Sequence, residues 1–137
     1  MTIQELSKLY NTRQRIAELR ELILTIEARA VKVTPGGDGT PHGGGISDKT
    51  AIGAELADVR AQLEQKEAQE LRELAVLVRY IAAVEDAFIG KLLRLRFVEG
   101  KTWRDVARKA GGGNTEDSVR KAVFRWLDKE NGIPLAR

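Results

Sequence analysis

The sequence predicts an all-α protein, with a long antiparallel helical hairpin followed by a C-terminal domain of three shorter helices. Apolar residues recur at helical spacing through two long stretches. A segment rich in Gly and Pro separates those stretches, and further glycines punctuate the last third. With 31% charged and only 5% aromatic residues, the composition favours elongated helices over a large globular core.

Composition also excludes several functional classes. The chain has no Cys, which rules out disulfides, thiolate zinc sites and a cysteine nucleophile. No apolar run approaches the ~18–20 residues that cross a bilayer. The N-terminus lacks the cationic start and apolar stretch of a signal peptide. We therefore expect a cytoplasmic protein that uses no membrane and no cofactor.

The first long helix is predicted over about residues 2–32, because this range contains no Gly or Pro. A polar gap at residues 11–15 divides its apolar stripe into two groups. The stripe consists of Ile3, Leu6, Leu9, Tyr10, Ile16, Leu19, Ile23, Ile26 and Ala30.

Residues 34–45 are predicted to be a linker, because Pro35 and Pro41 interrupt a run of glycines. The linker lacks the Gly-Lys-Ser/Thr ending and the preceding strand of a phosphate-binding loop. His42 is the only histidine, and no metal-ligand or catalytic partner lies nearby in sequence. A local structural role is therefore expected for His42.

The second long helix is predicted over residues 47–82, with Ser47 as its cap and Asp48 as the alternative. Its polar gap spans residues 64–70. The apolar stripe consists of Ile52, Leu56, Val59, Leu63, Leu71, Leu74, Val78 and Ile81.

Folding the chain back at about residue 40 places the two polar gaps opposite each other. Arg13 and Arg15 then face the glutamates of residues 64–70, and an antiparallel hairpin domain over residues 1–82 explains this symmetry. Apolar residues outside both stripes indicate a second contact surface that meets either another subunit or the C-terminal domain, and we expect self-association, with a dimer favoured. These residues are Leu22, Leu24, Val76 and Leu77.

A break around residues 82–86 is expected to start a second domain, residues 83–137. Its first helix ends at Gly100 and is predicted to pack through Val84, Phe88, Leu92 and Leu95, with Ile89 and Leu93 at the margin.

The last two helices are joined by Gly111–Gly113, which permit the positive φ of a helix C-cap. Thr102 is predicted to cap the first of them, and Asn114 or Thr115 the second. Two short helices with a small-residue turn, the second one basic and exposed, are typical of a helix-turn-helix. The predicted apolar faces consist of Trp103, Val106, Ala107, Ala110, Val119, Val123, Trp126 and Leu127.

The run LLRLRFVEGKTWRDVA, residues 92–107, resembles the start of a sigma-factor region-4-like helix-turn-helix. Ser118-Val119-Arg120 resembles the beginning of its recognition helix. The Thr-Trp pair and the helical N-terminal part extend the likeness to phage late transcriptional regulators of the ArpU/RinA type. The three consecutive glycines depart from the usual turn. The resemblance implies a phage late-gene activator that works on DNA in the bacterial host cell, alongside host RNA polymerase.

Charge is unevenly distributed along the chain. Residues 1–90 contain 11 Lys and Arg against 14 Asp and Glu, whereas residues 91–137 contain 12 against 6. A basic helix-turn-helix is suited to duplex DNA. Candidate base contacts are Glu116, Asp117, Arg120 and Lys121. Candidate phosphate contacts are Thr102, Arg104, Lys109, Thr115, Ser118 and Arg125.

The sequence also bears on two functions other than DNA binding. The alternative is a protein-interaction module, in which the C-terminal domain or the hairpin docks on RNA polymerase or on another regulator. An enzyme is not expected, because the acidic residues form no recognisable metal or acid–base constellation.

Overall fold

The structure is a computed structural model that describes residues 1–32 and 43–132, with residues 43–48 described by their backbone alone. Every regular element in these ranges is helical, which confirms the all-α class. A single turn of π-helix, Arg94–Val98, continues the fourth helix. The α-helices are α1 (Ile3–Leu6), α2 (Lys8–Lys32), α3 (Gly43–Ala82), α4 (Ala87–Leu93), α5 (Trp103–Ala110) and α6 (Glu116–Glu130).

The predicted first helix is interrupted once, at Ser7. Thr2 and Glu5 form a capping box at its start, where the Thr2 N–H donates to the Glu5 carboxylate at 2.8 Å. This backbone hydrogen bond is the main reason why the pKa of Glu5 is lowered. The Ser7 hydroxyl donates to the Ile3 carbonyl at 2.8 Å, a local bond that competes with regular helix geometry. The helix therefore divides into α1 and α2.

The predicted start of the second long helix at Ser47 is wrong, because α3 begins at Gly43. Three residues of the predicted linker thus have helical backbone. Each glycine in a helix costs about 1 kcal/mol relative to alanine, which is much less than the cost of a proline. A short run of glycines therefore does not by itself prevent a long helix from extending. The rest of the predicted linker, including His42, lies outside the described residues.

The chain divides into two compact units, Thr12–Gln69 and the combination of Met1–Asn11 with Glu70–Arg137. In the Thr12–Gln69 unit, α2 and α3 pair through the predicted apolar stripes. Leu19, Ile26 and Val59 are buried there. The pairing is antiparallel, since Arg29 binds Glu55 at 2.9 Å and Arg20 binds Glu67 at 3.1 Å. The partly buried members are Ile23, Ile52, Leu56 and Leu63.

The two polar gaps face each other as predicted, but the ion pairs of Arg15 and Glu67 differ from the prediction. Arg15 binds Glu18 of its own helix at 3.1 Å, and Glu67 binds Arg20 instead of Arg13 or Arg15. The buried polar contact is between Thr12 and Gln69, whose side-chain amide donates to the Thr12 hydroxyl at 3.3 Å. Long exposed side chains reach several partners, so facing polar gaps do not by themselves define which charges pair.

The other unit combines the N-terminal residues, the end of α3 and the helices that follow. Its core includes Leu6, Leu9 and Leu77 together with residues from α4, the π-turn, α5 and α6. The division therefore falls inside α2 and α3, at residues 11–12 and 69–70, whereas the predicted domain boundary was at residues 82–83. The cause is that the N-terminal leucines are buried in the same core as the last two helices.

Several predicted core positions are corrected by the structure. Tyr10, Leu71 and Val78 are exposed, whereas Leu77 is buried. The three other residues of the predicted second surface, Leu22, Leu24 and Val76, are exposed.

The phase of α4 also differs from the prediction. The break falls where it was expected, and Asp86 caps the new helix by accepting from the N–H groups of Phe88 and Ile89. Phe88 is 40% exposed, while Ile89 and Leu93 are buried. A turn of π-helix contains more residues than a turn of α-helix, because its hydrogen bonds join residues five positions apart. The residues after Leu93 therefore do not keep the 3.6-residue period on which the predicted stripe is based.

In the described ranges, no helix combines the length and the low charge that crossing a bilayer requires.

Candidate nucleic-acid interface

The last three α-helices form the predicted trihelical core. α5 packs directly on α6, and α4 packs on both. Leu92, Leu93, Val106, Val119 and Val123 have no exposed surface. This core fixes α6 on its buried side and leaves its opposite side to solvent.

Trp103 begins α5 and packs through its edges against two other aromatic rings. Its ring centroid lies 6.3 Å from that of Phe97 and 6.1 Å from that of Phe124, and both pairs are T-shaped. The Arg96 guanidinium stacks on the Trp103 ring at 4.8 Å. Arg96 also donates to the Lys101 carbonyl at 2.9 Å, so it closes the loop before α5. These contacts agree with the predicted packing role of Trp103.

Trp126 joins α6 to the end of α3. Its ring is T-shaped against Tyr80, with centroids 6.3 Å apart. Burial, with a contribution from the charge of Glu130, raises the pKa of Tyr80. Asn131 ends α6 and donates to the Met1 carbonyl at 3.0 Å. The N-terminal residues therefore help to hold the end of the candidate recognition helix.

The turn between α5 and α6 depends on its glycines. Gly111, Gly112 and Gly113 have φ values of 70°, 64° and 75°, a region that other residues rarely adopt. Asn114 closes the turn, since its side-chain amide donates to the Gly111 carbonyl at 2.7 Å and its N–H donates to the same oxygen at 3.2 Å. The triple glycine is therefore a defined turn in which each member has positive φ.

Three predicted phosphate contacts have capping roles. The Thr102 hydroxyl accepts from the Asp105 N–H at 3.2 Å, and the Thr115 hydroxyl accepts from the Ser118 N–H at 3.1 Å. Thr115, and not Asn114, is the cap of α6. The Ser118 hydroxyl donates to the Thr115 carbonyl at 2.9 Å. The Ser118 proton is thus already engaged, whereas the two threonine hydroxyls use only an acceptor site.

The exposed side of α6 carries a three-residue ionic cluster, which we call the Asp117 cluster. Asp117 Oδ1 lies 2.8 Å from Arg120 Nη2, and Asp117 Oδ2 lies 2.9 Å from Lys121 Nζ. Hydrogen bonds from Lys121 and Arg120 lower the pKa of Asp117, so the carboxylate is ionised at neutral pH. The fourth predicted base contact, Glu116, is exposed in the same first turn.

The remaining predicted phosphate contacts are exposed cations on both helices. Arg104 and Lys109 belong to α5, and Arg125 belongs to α6. The structure brings all predicted base contacts to one helix but pairs three of them with one another. The sequence contained the signal for this pairing, because Asp117 precedes Arg120 by three positions and Lys121 by four.

Among the described residues, no group of three or more His, Asp or Glu is placed to hold a metal ion. Comparison with known proteins gives no matching family model, no matching curated protein and no matching solved structure.

Proposed function

We propose that the protein is a sequence-specific, double-stranded-DNA-binding transcriptional regulator that reads the major groove with α6. The observation that carries this proposal is the orientation of α6. Val119, Val123 and Leu127 are buried, so Arg120 and Lys121 extend into solvent from a rigidly held helix. A helix of this kind fits the major groove, and Arg or Lys can donate to guanine O6 and N7.

The surrounding charges support DNA as the partner. Exposed cations lie on both helices of the motif, where they are able to neutralise phosphates without reading sequence. They are Arg104 and Lys109 on α5 and Arg125 on α6. The excess of 12 basic over 6 acidic residues in residues 91–137 has the same sign. On the resemblance to phage late regulators, we further propose activation of late genes together with host RNA polymerase, by a homodimer that binds paired half-sites.

Duplex binding by the full chain tests the proposal. Wild type is used to select binding duplexes from a random pool, and fluorescence anisotropy then compares a selected duplex with a scrambled one across a salt series. We expect preference for the selected duplex, with log affinity falling by about 0.9 per contacted phosphate against log salt. Replacing Arg120 and Lys121 by Ala together is expected to abolish the preference.

A matched control removes the same charge elsewhere. Arg72 and Arg79 are exposed on α3, outside the helix-turn-helix, so replacing both by Ala is expected to keep the preference for the selected duplex. Weak binding by wild type that ignores sequence would contradict the proposal. It would favour the alternative of a protein-interaction module that docks on RNA polymerase or another regulator.

A further inference from the structure

We infer that Asp117 is a positioning residue that determines selectivity, because it holds Arg120 and Lys121 away from DNA of arbitrary sequence. This inference rests on the proposed function and assigns to Asp117 a role other than contact with a base.

The geometry of the Asp117 cluster supports an internal counter-ion. Each carboxylate oxygen binds a different cation, at 2.8 Å for Arg120 and 2.9 Å for Lys121. The three side chains are 54%, 44% and 59% exposed for Asp117, Arg120 and Lys121, respectively. The Asp117 carboxylate therefore forms ion pairs with both cations on the surface where DNA is proposed to bind.

The effect on non-specific DNA follows from electrostatics. Binding to arbitrary sequence depends almost entirely on the neutralisation of phosphates by Lys and Arg. A carboxylate in direct contact with Arg120 and Lys121 reduces their net charge and repels an approaching phosphate. A backbone that offers only phosphates therefore gains little from these two side chains while Asp117 is present.

A matching base pair offers a more specific interaction. Arg120 has five N–H donors and uses only one nitrogen, Nη2, for Asp117. The rest of the guanidinium remains able to donate to guanine O6 and N7, and Asp117 limits the orientations that it samples. The cluster therefore lowers affinity for all sequences but preserves a directed contact with the correct one.

The test measures selectivity in Asp117→Asn, using the selected and scrambled duplexes described above. We expect affinity for the scrambled duplex to rise by about three- to tenfold and its salt dependence to become steeper, since one or two more phosphates are contacted. The ratio of the two affinities is expected to fall. Circular dichroism verifies that the variant keeps its helical content.

Asp105→Asn is the matched control. Asp105 binds Arg108 at 2.9 Å on α5, so this substitution removes the same charge from an ion pair of the same spacing in the same domain. We expect it to shift the affinities for both duplexes alike and to leave their ratio unchanged. Asp117→Glu retains a carboxylate within reach of Arg120 and Lys121 and is expected to keep the wild-type ratio.

Three results would overturn the inference. A loss of affinity for the selected duplex alone, with no gain on the scrambled one, would show that Asp117 contacts a base directly. Equal shifts on both duplexes, as expected for Asp105→Asn, would reduce Asp117 to a general charge. Failure of wild type to discriminate between the duplexes would remove the proposed function and this inference together, so the two failures are distinguishable.

Discussion

The two compact units differ in how much apolar surface they bury. Among the described residues, the unit formed by Met1–Asn11 and Glu70–Arg137 has 13 buried residues in one core, whereas the Thr12–Gln69 unit has three in its cluster. Two helices bury only one stripe each, and Leu22, Leu24 and Val31 remain exposed on α2 as a result. The larger core closes because α4, α5 and α6 pack there together with the N-terminal residues and the end of α3.

The difference indicates which unit is able to support a precise binding surface. Residues that contact a ligand need a rigid support, because small displacements weaken directed hydrogen bonds. α6 has that support from the larger core and from the aromatic contacts of Trp103 and Trp126. In the Thr12–Gln69 unit, exposed ion pairs such as Arg29–Glu55 and Arg20–Glu67 join α2 to α3, and each contributes only about 0–1 kcal/mol.

Leu6→Ala provides the strongest test of the larger core. Leu6 is 1% exposed and is buried in the same cluster as Val106 and Val119, although it lies far from them in sequence. We expect the free energy of unfolding to fall by about 2–5 kcal/mol. Both tryptophans of the chain belong to this unit, so urea unfolding followed by tryptophan fluorescence measures the effect directly.

Leu71→Ala is the corresponding control, since Leu71 belongs to the same unit but is 67% exposed. Its effect is expected to stay within about 0.5 kcal/mol. If Leu6→Ala were equally mild, the N-terminal residues would not be part of the core that supports α6. An independent domain over residues 83–137 would then be the better description.

Gly111→Ala tests the turn that joins α5 to α6. Gly111 has φ 70° and ψ −162°, a backbone conformation that is restricted almost entirely to glycine. We expect a loss of about 1–3 kcal/mol in the free energy of unfolding, from backbone strain and not from a steric clash. An added Cβ at Gly111 meets no atom within 4 Å, which excludes the steric cause. Tryptophan fluorescence in urea is again the measurement.

Gly90→Ala separates backbone strain from the general effect of adding a methyl group. Gly90 lies inside α4, its Cβ would also meet nothing within 4 Å, and its φ is helical. We expect this substitution to stabilise the unit by about 0.5–1 kcal/mol. Opposite signs at the two glycines support the strained turn, whereas a neutral Gly111→Ala would show that the turn adopts another conformation without cost.

Local features of this fold were predictable from the sequence. Thr102 and Thr115 cap their helices because a hydroxyl at that position reaches a free N–H within three residues. Val106 and Val119 are buried because helical spacing places each of them on the apolar face of its own helix, α5 and α6 respectively. Both kinds of inference depend on neighbours in the chain, so they hold without knowledge of the tertiary structure.

Long-range features were not predictable in the same way. No local pattern places Leu6 and Leu9 in one core with α6, because that contact depends on how separate helices pack. Phe88 is exposed and Ile89 is buried because of the way α4 packs on α5 and α6, and helical spacing alone does not predict that packing. The spacing of Asp117, Arg120 and Lys121 along α6 predicts the ion pairs of the Asp117 cluster. The expectation that each of the three contacts a base separately does not take that spacing into account.

The smallest expected effect concerns the register of α2 and α3. Arg20 and Glu67 are 61% and 47% exposed and lie 3.1 Å apart across the Thr12–Gln69 unit. We expect a double-mutant cycle of Arg20→Glu and Glu67→Arg to give a coupling of about 0.2–1 kcal/mol. Each single reversal places like charges together, and the double exchange restores an opposite pair. Amide hydrogen exchange of residues in this unit is the measurement, since the tryptophans lie elsewhere.

Arg15→Glu distinguishes the observed ion pair of Arg15 from its predicted pairing with the glutamates of residues 64–70. Arg15 binds Glu18 of its own helix at 3.1 Å, so Glu67→Arg is not expected to compensate for Arg15→Glu. Compensation at Arg15 but not at Arg20 would support the predicted pairing of Arg15 with Glu67 and contradict the observed one. Because each pair is exposed, its coupling free energy is small, so the sign of the coupling and the identity of the partner are what distinguish the two pairings. Raising the salt concentration is expected to diminish the coupling free energy of the correct pair.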